Sequence, residues 1–173
     1  VYSDDLIVFN QDSRVMFSAF TKVNNIEFGE IDTSRVTNMG RVSNDYRGMF
    51  SHCYSLTSLD LSSFDTSKVT DMHGMFMGDY KLTSLVLSDK FDTSNVTDIS
   101  GIFSGCSGLT SLDLSKFNTS NVTDMSYMFE ECRNLTSLNL NNFNTSNVTN
   151  MSNMFYNCSS LTSLDVSKFD TSN

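Results

Sequence analysis

The chain has 173 residues, 39% of them apolar, and a formal charge of −9. Its 11 basic residues are scattered along the sequence, a distribution that excludes nucleic acid and anionic membrane surfaces as electrostatic partners. No run reaches the roughly 18 apolar residues that a membrane-spanning helix requires, so no direct membrane insertion is expected in this segment.

In chain order, residues 1–22 come first. Met16, Phe17 and Phe20 match apolar positions that recur downstream, so this stretch reads as a degenerate repeat acting as an N-terminal cap over the first rung of a stack. A fuller copy begins at Val23, with Ile26, Phe28 and Ile31 on the apolar columns and Asp32-Thr-Ser-Arg-Val-Thr-Asn-Met39 behind them. Met39 and Met49 then stand ten residues apart, where later copies separate the equivalent pair, such as Met72 and Met75, by three. The surplus predicts a loop over 40–47 that leaves the stack, and loops on rigid scaffolds often carry function. Its contact-prone side chains are Arg41, Asp45, Tyr46 and Arg47.

Regular copies start at Leu56, Leu82, Leu109, Leu135 and Leu161, at intervals of 26, 27, 26 and 26 residues. A fixed period of this length marks a leucine-rich-repeat solenoid. Counting the copy at Val23, six strands are expected. Within the copy at 109, Leu112 and Leu114 alternate with Ser111, Asp113 and Ser115, the period of two of a strand with one buried face. One aromatic recurs as Phe64, Phe91, Phe117, Phe143 and Phe169, followed by a polar Asx-Thr-Ser turn and an inward Val. Met125, Met128, Phe129 and Cys132 then stand at i, i+3, i+4 and i+7, which predicts a short helix capped by Thr123 or Asp124. The fold class is therefore an α/β repeat: parallel strands, turns and short helices in one elongated domain, with a cap over 1–22 and the solenoid over 23–173. The chain starts without Met and stops inside a copy, so it reads as a segment of a longer protein whose anchor lies outside it.

Several columns look reactive and have plainer explanations. Cys53, Cys106, Cys132 and Cys158 share one column, with Asp79 in the vacant rung; this favours buried free thiols over disulfides, and a straight column cannot surround a zinc ion. Asp71, Asp98 and Asp124 fall on consecutive rungs, where they serve as caps rather than calcium ligands. Threonine columns at 57, 83, 110, 136 and 162, and at 66, 93, 119, 145 and 171, lie on different parts of the unit, which argues against a flat ice-templating face. Only His52 and His73 are available as neutral-pH bases, and neither sits in a nucleophile motif. No enzyme activity, metal or cofactor is expected.

The unit Leu-Thr-Ser-Leu-Asp-Leu-Ser-Lys-Phe-Asn-Thr-Ser-Asn-Val-Thr-Asp-Met-Ser-Tyr-Met-Phe-Glu-Glu-Cys, residues 109–132, resembles the repeat of BspA-like leucine-rich-repeat surface proteins of bacteria. The resemblance covers about residues 23–173 and implies an extracellular, cell-surface protein that adheres to a host or microbial surface protein or glycan, as a monomer. It supplies no catalytic residues. The expected contact surface is the exposed strand face, Ser58, Asp60, Ser84, Ser111, Asp113, Ser137, Asn139, Ser163 and Asp165, with the 40–47 loop as a second candidate. The alternative function is a spacer holding another domain away from the cell.

Overall fold

The computed structural model describes residues 6–42 and 46–172. Strands β1 (Ile7–Val8) and β2 (Ile31–Asp32) pair in parallel. So do β3 (Ser58–Leu61) and β4 (Ser84–Leu87), with Ser58 opposite Ser84 and Leu61 opposite Leu87. Single parallel bridges then link one residue per copy in an unbroken series: Asp12 to Asn38, Asn38 to Asp71, Asp71 to Asp98, Asp98 to Asp124, and Asp124 to Asn150. Each link joins a residue to its equivalent one copy later. The chain thus makes successive circuits, and the 7–20 segment takes part in the first of them.

The expected short helices do not form: the described residues contain no helix. Backbone donors across this segment instead alternate in destination. In one circuit the N–H groups of Met72, Gly74, Phe76 and Gly78 donate to carbonyls of the next circuit, on Asp98, Ser100, Ile102 and Ser104. Those of Met75, Met77 and Asp79 close turns on the residue three back. The pattern repeats from Ile99 to Cys106 and from Met125 to Cys132. In each circuit from 56 to 160 two described residues, four apart, hold a positive φ: Gly74 and Gly78, Gly101 and Gly105, Tyr127 and Glu131, Asn153 and Asn157; Val15 and Ala19 form the same pair in the first circuit, and His52 holds one in the circuit with the insertion. Left-handed residues every fourth position reset the chain direction, so side chains at i, i+3, i+4 and i+7 face inward without an α-helical ladder. Asp124 does not cap a helix; its Oδ1 accepts the Ser126 N–H at 2.8 Å and closes a turn.

The strand column is also shorter than expected. Among the described residues, only β3 and β4 form strands in it; the segments at 23, 109, 135 and 161 have none. Between the copies at 109 and 135, the Asn142 Nδ2 donates to the carbonyls of Leu114 and Phe117 at 3.0 and 2.8 Å.

Two buried columns bind the circuits together. Phe17, Phe50, Phe76, Phe103, Phe129 and Phe155 stack one above another at 5.3–6.0 Å, with ring planes within 11° of parallel. The second column is polar. Thr33, Thr66, Thr93, Thr119 and Thr145 are all buried, and each hydroxyl spans the N–H and C=O of a single residue in the next circuit. Thr93 Oγ1 donates to the Asn118 carbonyl at 2.8 Å and accepts the Asn118 N–H at 2.7 Å. Thr66, Thr93, Thr119 and Thr145 therefore belong to the interior, not to a surface array.

All four cysteines are free thiols. Each donates to a phenylalanine carbonyl one circuit back, Cys106 to Phe76 at 3.1 Å and Cys132 to Phe103 at 3.2 Å. Asp79, fully buried in the same column, accepts the Cys53 N–H on Oδ1 at 2.8 Å, while its Oδ2 has no partner among the described residues. Burial pushes this carboxyl up to about 8 against the downward pull of that amide.

Two predictions follow from these columns. Replacing Thr93 by Val leaves a buried donor and acceptor unpaired, at a cost of about 1–3 kcal/mol in urea denaturation, whereas Thr83→Val at an exposed position stays within about 0.5 kcal/mol. Folded Asp79 keeps a proton that the unfolded chain, with a carboxyl near 4, releases. Its contribution to stability is therefore full at acid pH and is lost as pH rises through about 8. Asp79→Asn, which keeps an acceptor for the Cys53 amide, removes this decline; an unchanged difference in denaturation midpoint between pH about 5 and about 9 would remove Asp79 as its source.

Candidate functional site

All nine residues of the expected strand face are exposed. Its carboxylates, however, are engaged in local structure. Asp60, Asp113 and Asp165 accept the N–H of Ser62, Ser115 and Ser167 at 2.8–2.9 Å, and Asn139 does the same for Asn141. Hydrogen bonds from the serine amide and hydroxyl hold all three carboxyls below their usual range, the amide being the larger influence at Asp60 and Asp113 and the hydroxyl at Asp165. Val86 occupies the same column on β4. The face is thus a row of small turn-locking groups, with a shallow hollow near Asp113 and Asn139.

The loop side is different. Arg41 and Tyr46 stand at the two ends of the described part of the insertion; Asp45 lies outside the described residues. The chain rejoins the stack at Gly48, where a Cβ would lie 2.6 Å from the Met75 Cα, so only glycine fits. Arg41 and Tyr46 line a cleft of about 360 Å³ whose opposite wall comes from later circuits: His73, Asp98, Ser100, Asp124, Tyr127 and Glu130. Arg47 is exposed and is not part of this lining. The Tyr46 ring centroid stands 6.2 Å from that of His73.

Asp98 is the hinge of the arrangement. Its Oδ1 accepts the Ser100 N–H at 2.9 Å and the Ser100 hydroxyl, and lies 3.7 Å from His73 Nδ1. The Ser100 hydroxyl in turn stands 2.5 Å from His73 Nδ1. Burial is the largest single influence on Asp98 and raises its carboxyl, yet the hydrogen bonds from His73 and Ser100 together outweigh it and hold the group below its usual range. Asp71, one rung earlier, moves the other way: burial raises it, and the Asp98 charge adds to the rise.

In a nucleophilic relay the imidazole stands between carboxylate and hydroxyl and takes the hydroxyl proton. Here the hydroxyl stands between the other two and donates its hydrogen bond to Asp98, an order different from that relay. The equivalent turns of other circuits are closed by Asn38 and Asn150 in place of Asp. The Asn-Val-Thr triplets are also committed to the stack, since the Asn95, Asn121 and Asn147 amides donate to the carbonyls of Ser67, Ser94 and Ser120 at 2.6–2.8 Å.

The family described as Mycoplasma protein of unknown function, DUF285, matches this chain over residues 11–84 and again over 44–164. The chain belongs to this family. The two DUF285 matches overlap across 44–84, as expected where one repeating pattern fits in more than one register, and they extend into the first circuit at residue 11. No curated protein and no solved structure matches the chain.

Of the residues singled out from the sequence, Arg41 and Tyr46 reach the cleft of this DUF285 chain and the strand face does not contribute to it. His73, Asp98, Tyr127 and Glu130 were outside the expected contact surface. The available signal was departure from the repeat: His73 stands where other circuits carry Ser100, Ser126 and Ser152, and Tyr127 where they carry Gly74 and Gly101.

Because the strand-face carboxylates lock turns, Asp113→Asn, which copies Asn139, leaves the denaturation midpoint unchanged, while Asp113→Ala lowers it. Equal midpoints for the two variants would show that the turn does not need the acceptor.

Proposed function

We propose that this chain is a leucine-rich-repeat solenoid segment of a BspA-like bacterial surface protein, and that it acts as a non-enzymatic binding module for a host or microbial surface protein or glycan. The single observation that carries this reading is the loop cleft: one insertion interrupts an otherwise repeating wall and sets Arg41 and Tyr46 over His73 and Asp98. A spacer needs only the repeating wall. Exposed tyrosines add to the argument, since Tyr46 is 63% and Tyr127 40% exposed, and tyrosine is enriched among residues that anchor interfaces. The strand face, made of small polar groups, serves this reading as a rim that contributes fit rather than energy. Multivalent display on a surface then compensates for a modest single contact.

The test is competition. Soluble chain added in excess displaces cells bearing the full-length protein from a host-cell or matrix layer, and Tyr46→Ala weakens that competition by about tenfold, the loss expected for one aromatic anchor. Asp113→Asn with Asp165→Asn leaves it within about twofold. A spacer gives the opposite result: soluble chain does not compete, and removal of residues 135–160 shortens the protein without loss of attachment.

A further inference from the structure

The loop cleft is rich in acceptors and poor in donors. Asp98, Asp124 and Glu130 line it, and Arg41 is the one basic residue among its described lining. Asp98 Oδ2 and Glu130 Oε1 accept no hydrogen bond among the described residues; Glu130 Oε2 takes the Ser104 hydroxyl at 3.0 Å. Asp124 is bonded only by neutral donors, the Ser126 N–H and hydroxyl and the Asn150 amide, so its charge is not cancelled.

His73 provides an independent observation. It lines the cleft while only 6% exposed, and its Nε2 has no hydrogen-bond partner among the described residues. The Ser100 hydroxyl donates its hydrogen bond to Asp98 and stands 2.5 Å from His73 Nδ1; in the tautomer protonated on Nδ1, His73 donates to Ser100 and Nε2 is an acceptor. A buried imidazole nitrogen without a hydrogen-bond partner is a cost, and it falls on a residue that lines the cleft.

We propose that this cleft receives an arginine side chain presented by the partner polypeptide. The assignment rests on the binding-module reading for the existence of a partner, and names the chemistry by which that partner is held. Tyrosine rings at Tyr46 and Tyr127 offer π faces to a cation. Asp98 and Asp124 sit on successive rungs, about 4.8 Å apart, where a guanidinium presents a separate N–H to each carboxylate while its plane stacks on a ring, a combination that an ammonium does not offer. The volume, about 360 Å³, is at the lower end of the roughly 300–1,000 Å³ typical of ligand clefts, which suits one side chain and not an oligosaccharide. No three carboxylate, cysteine or histidine side chains among the described residues converge to hold a metal ion, so the donor that fits is an organic cation.

The repeat supplies its own controls. Asp124→Asn reproduces Asn150, which closes the same turn, and Tyr127→Asn reproduces Asn153, which holds the same left-handed backbone at φ 55° against 59°. Both variants keep the circuit and remove one feature of the cleft.

The experiment is a titration of the chain, followed by amide chemical shifts, with N-acetyl-arginine amide, its lysine counterpart, the neutral isostere N-acetyl-citrulline amide, and glucosamine. The expected result is saturable binding of the arginine probe in the millimolar range, with shifts at Ser100, Ser126 and Tyr127. Citrulline then binds at least about tenfold more weakly, and Asp124→Asn and Tyr127→Asn each weaken arginine by about the same factor. Equal binding of citrulline, stronger binding of glucosamine, variants that bind as the parent does, or no binding by the folded chain at about 10 mM probe would each overturn the assignment. If arginine fails while soluble chain still competes for attachment and Tyr46→Ala weakens that competition, the ligand class falls and the binding-module reading stands.

Discussion

The structure depends on where its turn segments send their backbone donors. In a segment such as 72–79, every second N–H crosses to the next circuit and the remainder close turns within their own. Each circuit is therefore bonded to its neighbour through main chain, over a stretch where sequence periodicity suggests a self-contained helix. A helix would satisfy the same groups internally and leave this side of the circuits without main-chain bonds between them. The cost of the arrangement is two left-handed residues per circuit. Glycine carries it at Gly74, Gly78, Gly101 and Gly105, while Tyr127, Glu131, Asn153 and Asn157 carry it with a side chain attached, at about 1–2 kcal/mol per residue for side chains other than Asn. Such a conformation persists because the cross-circuit bonds on either side over-determine it.

Given that backbone, the interior follows. Circuits bonded at one edge have to keep a constant rise, and a column of identical groups is the simplest filling that does so. Phenylalanine accomplishes this with stacked rings, and buried threonine with a hydroxyl that exchanges two bonds with one residue of the next circuit. Asp79 shows what happens when a column is broken. A carboxyl in the cysteine position finds the Cys53 amide for one oxygen and nothing for the other, so the group holds its proton into the neutral range.

What the sequence made legible was the repeat and its inward columns. The 26-residue interval locates every circuit from Val23 onward, and Phe50, Phe76, Phe103, Phe129 and the methionines beside them are buried. The helix was misread because a run of turns with alternating donors places side chains inward at i, i+3, i+4 and i+7, as one helix face does; only the residues at the left-handed positions differ, and glycine there is present in just two of the later circuits. Strand length was overestimated for a related reason. Leu112 and Leu114 keep the alternation of burial without the backbone pairing that makes a strand, and the sequence pattern reports the burial alone.

The candidate site was legible only in part, and the reason lies in how a repeat stores information. Residues that recur are accounted for by the stack itself: the Asx at the head of each turn, the threonine bridge and, at Asn95, Asn121 and Asn147, the asparagine amide reaching back one circuit. A side chain whose repeat role is already filled has little left to offer a partner, which is why the strand-face carboxylates prove to be turn locks. On the proposed binding-module reading, recognition has to come from departures, and departures matter only where they fall together in space. His73 replaces a serine, Tyr127 replaces a glycine, and the insertion adds Arg41 and Tyr46; these changes belong to three different circuits, yet all border one cleft. A linear reading weighs each against its own column and finds it tolerable. Only the stacking of circuits, which brings residue 41 beside residue 127, turns separate irregularities into a single surface.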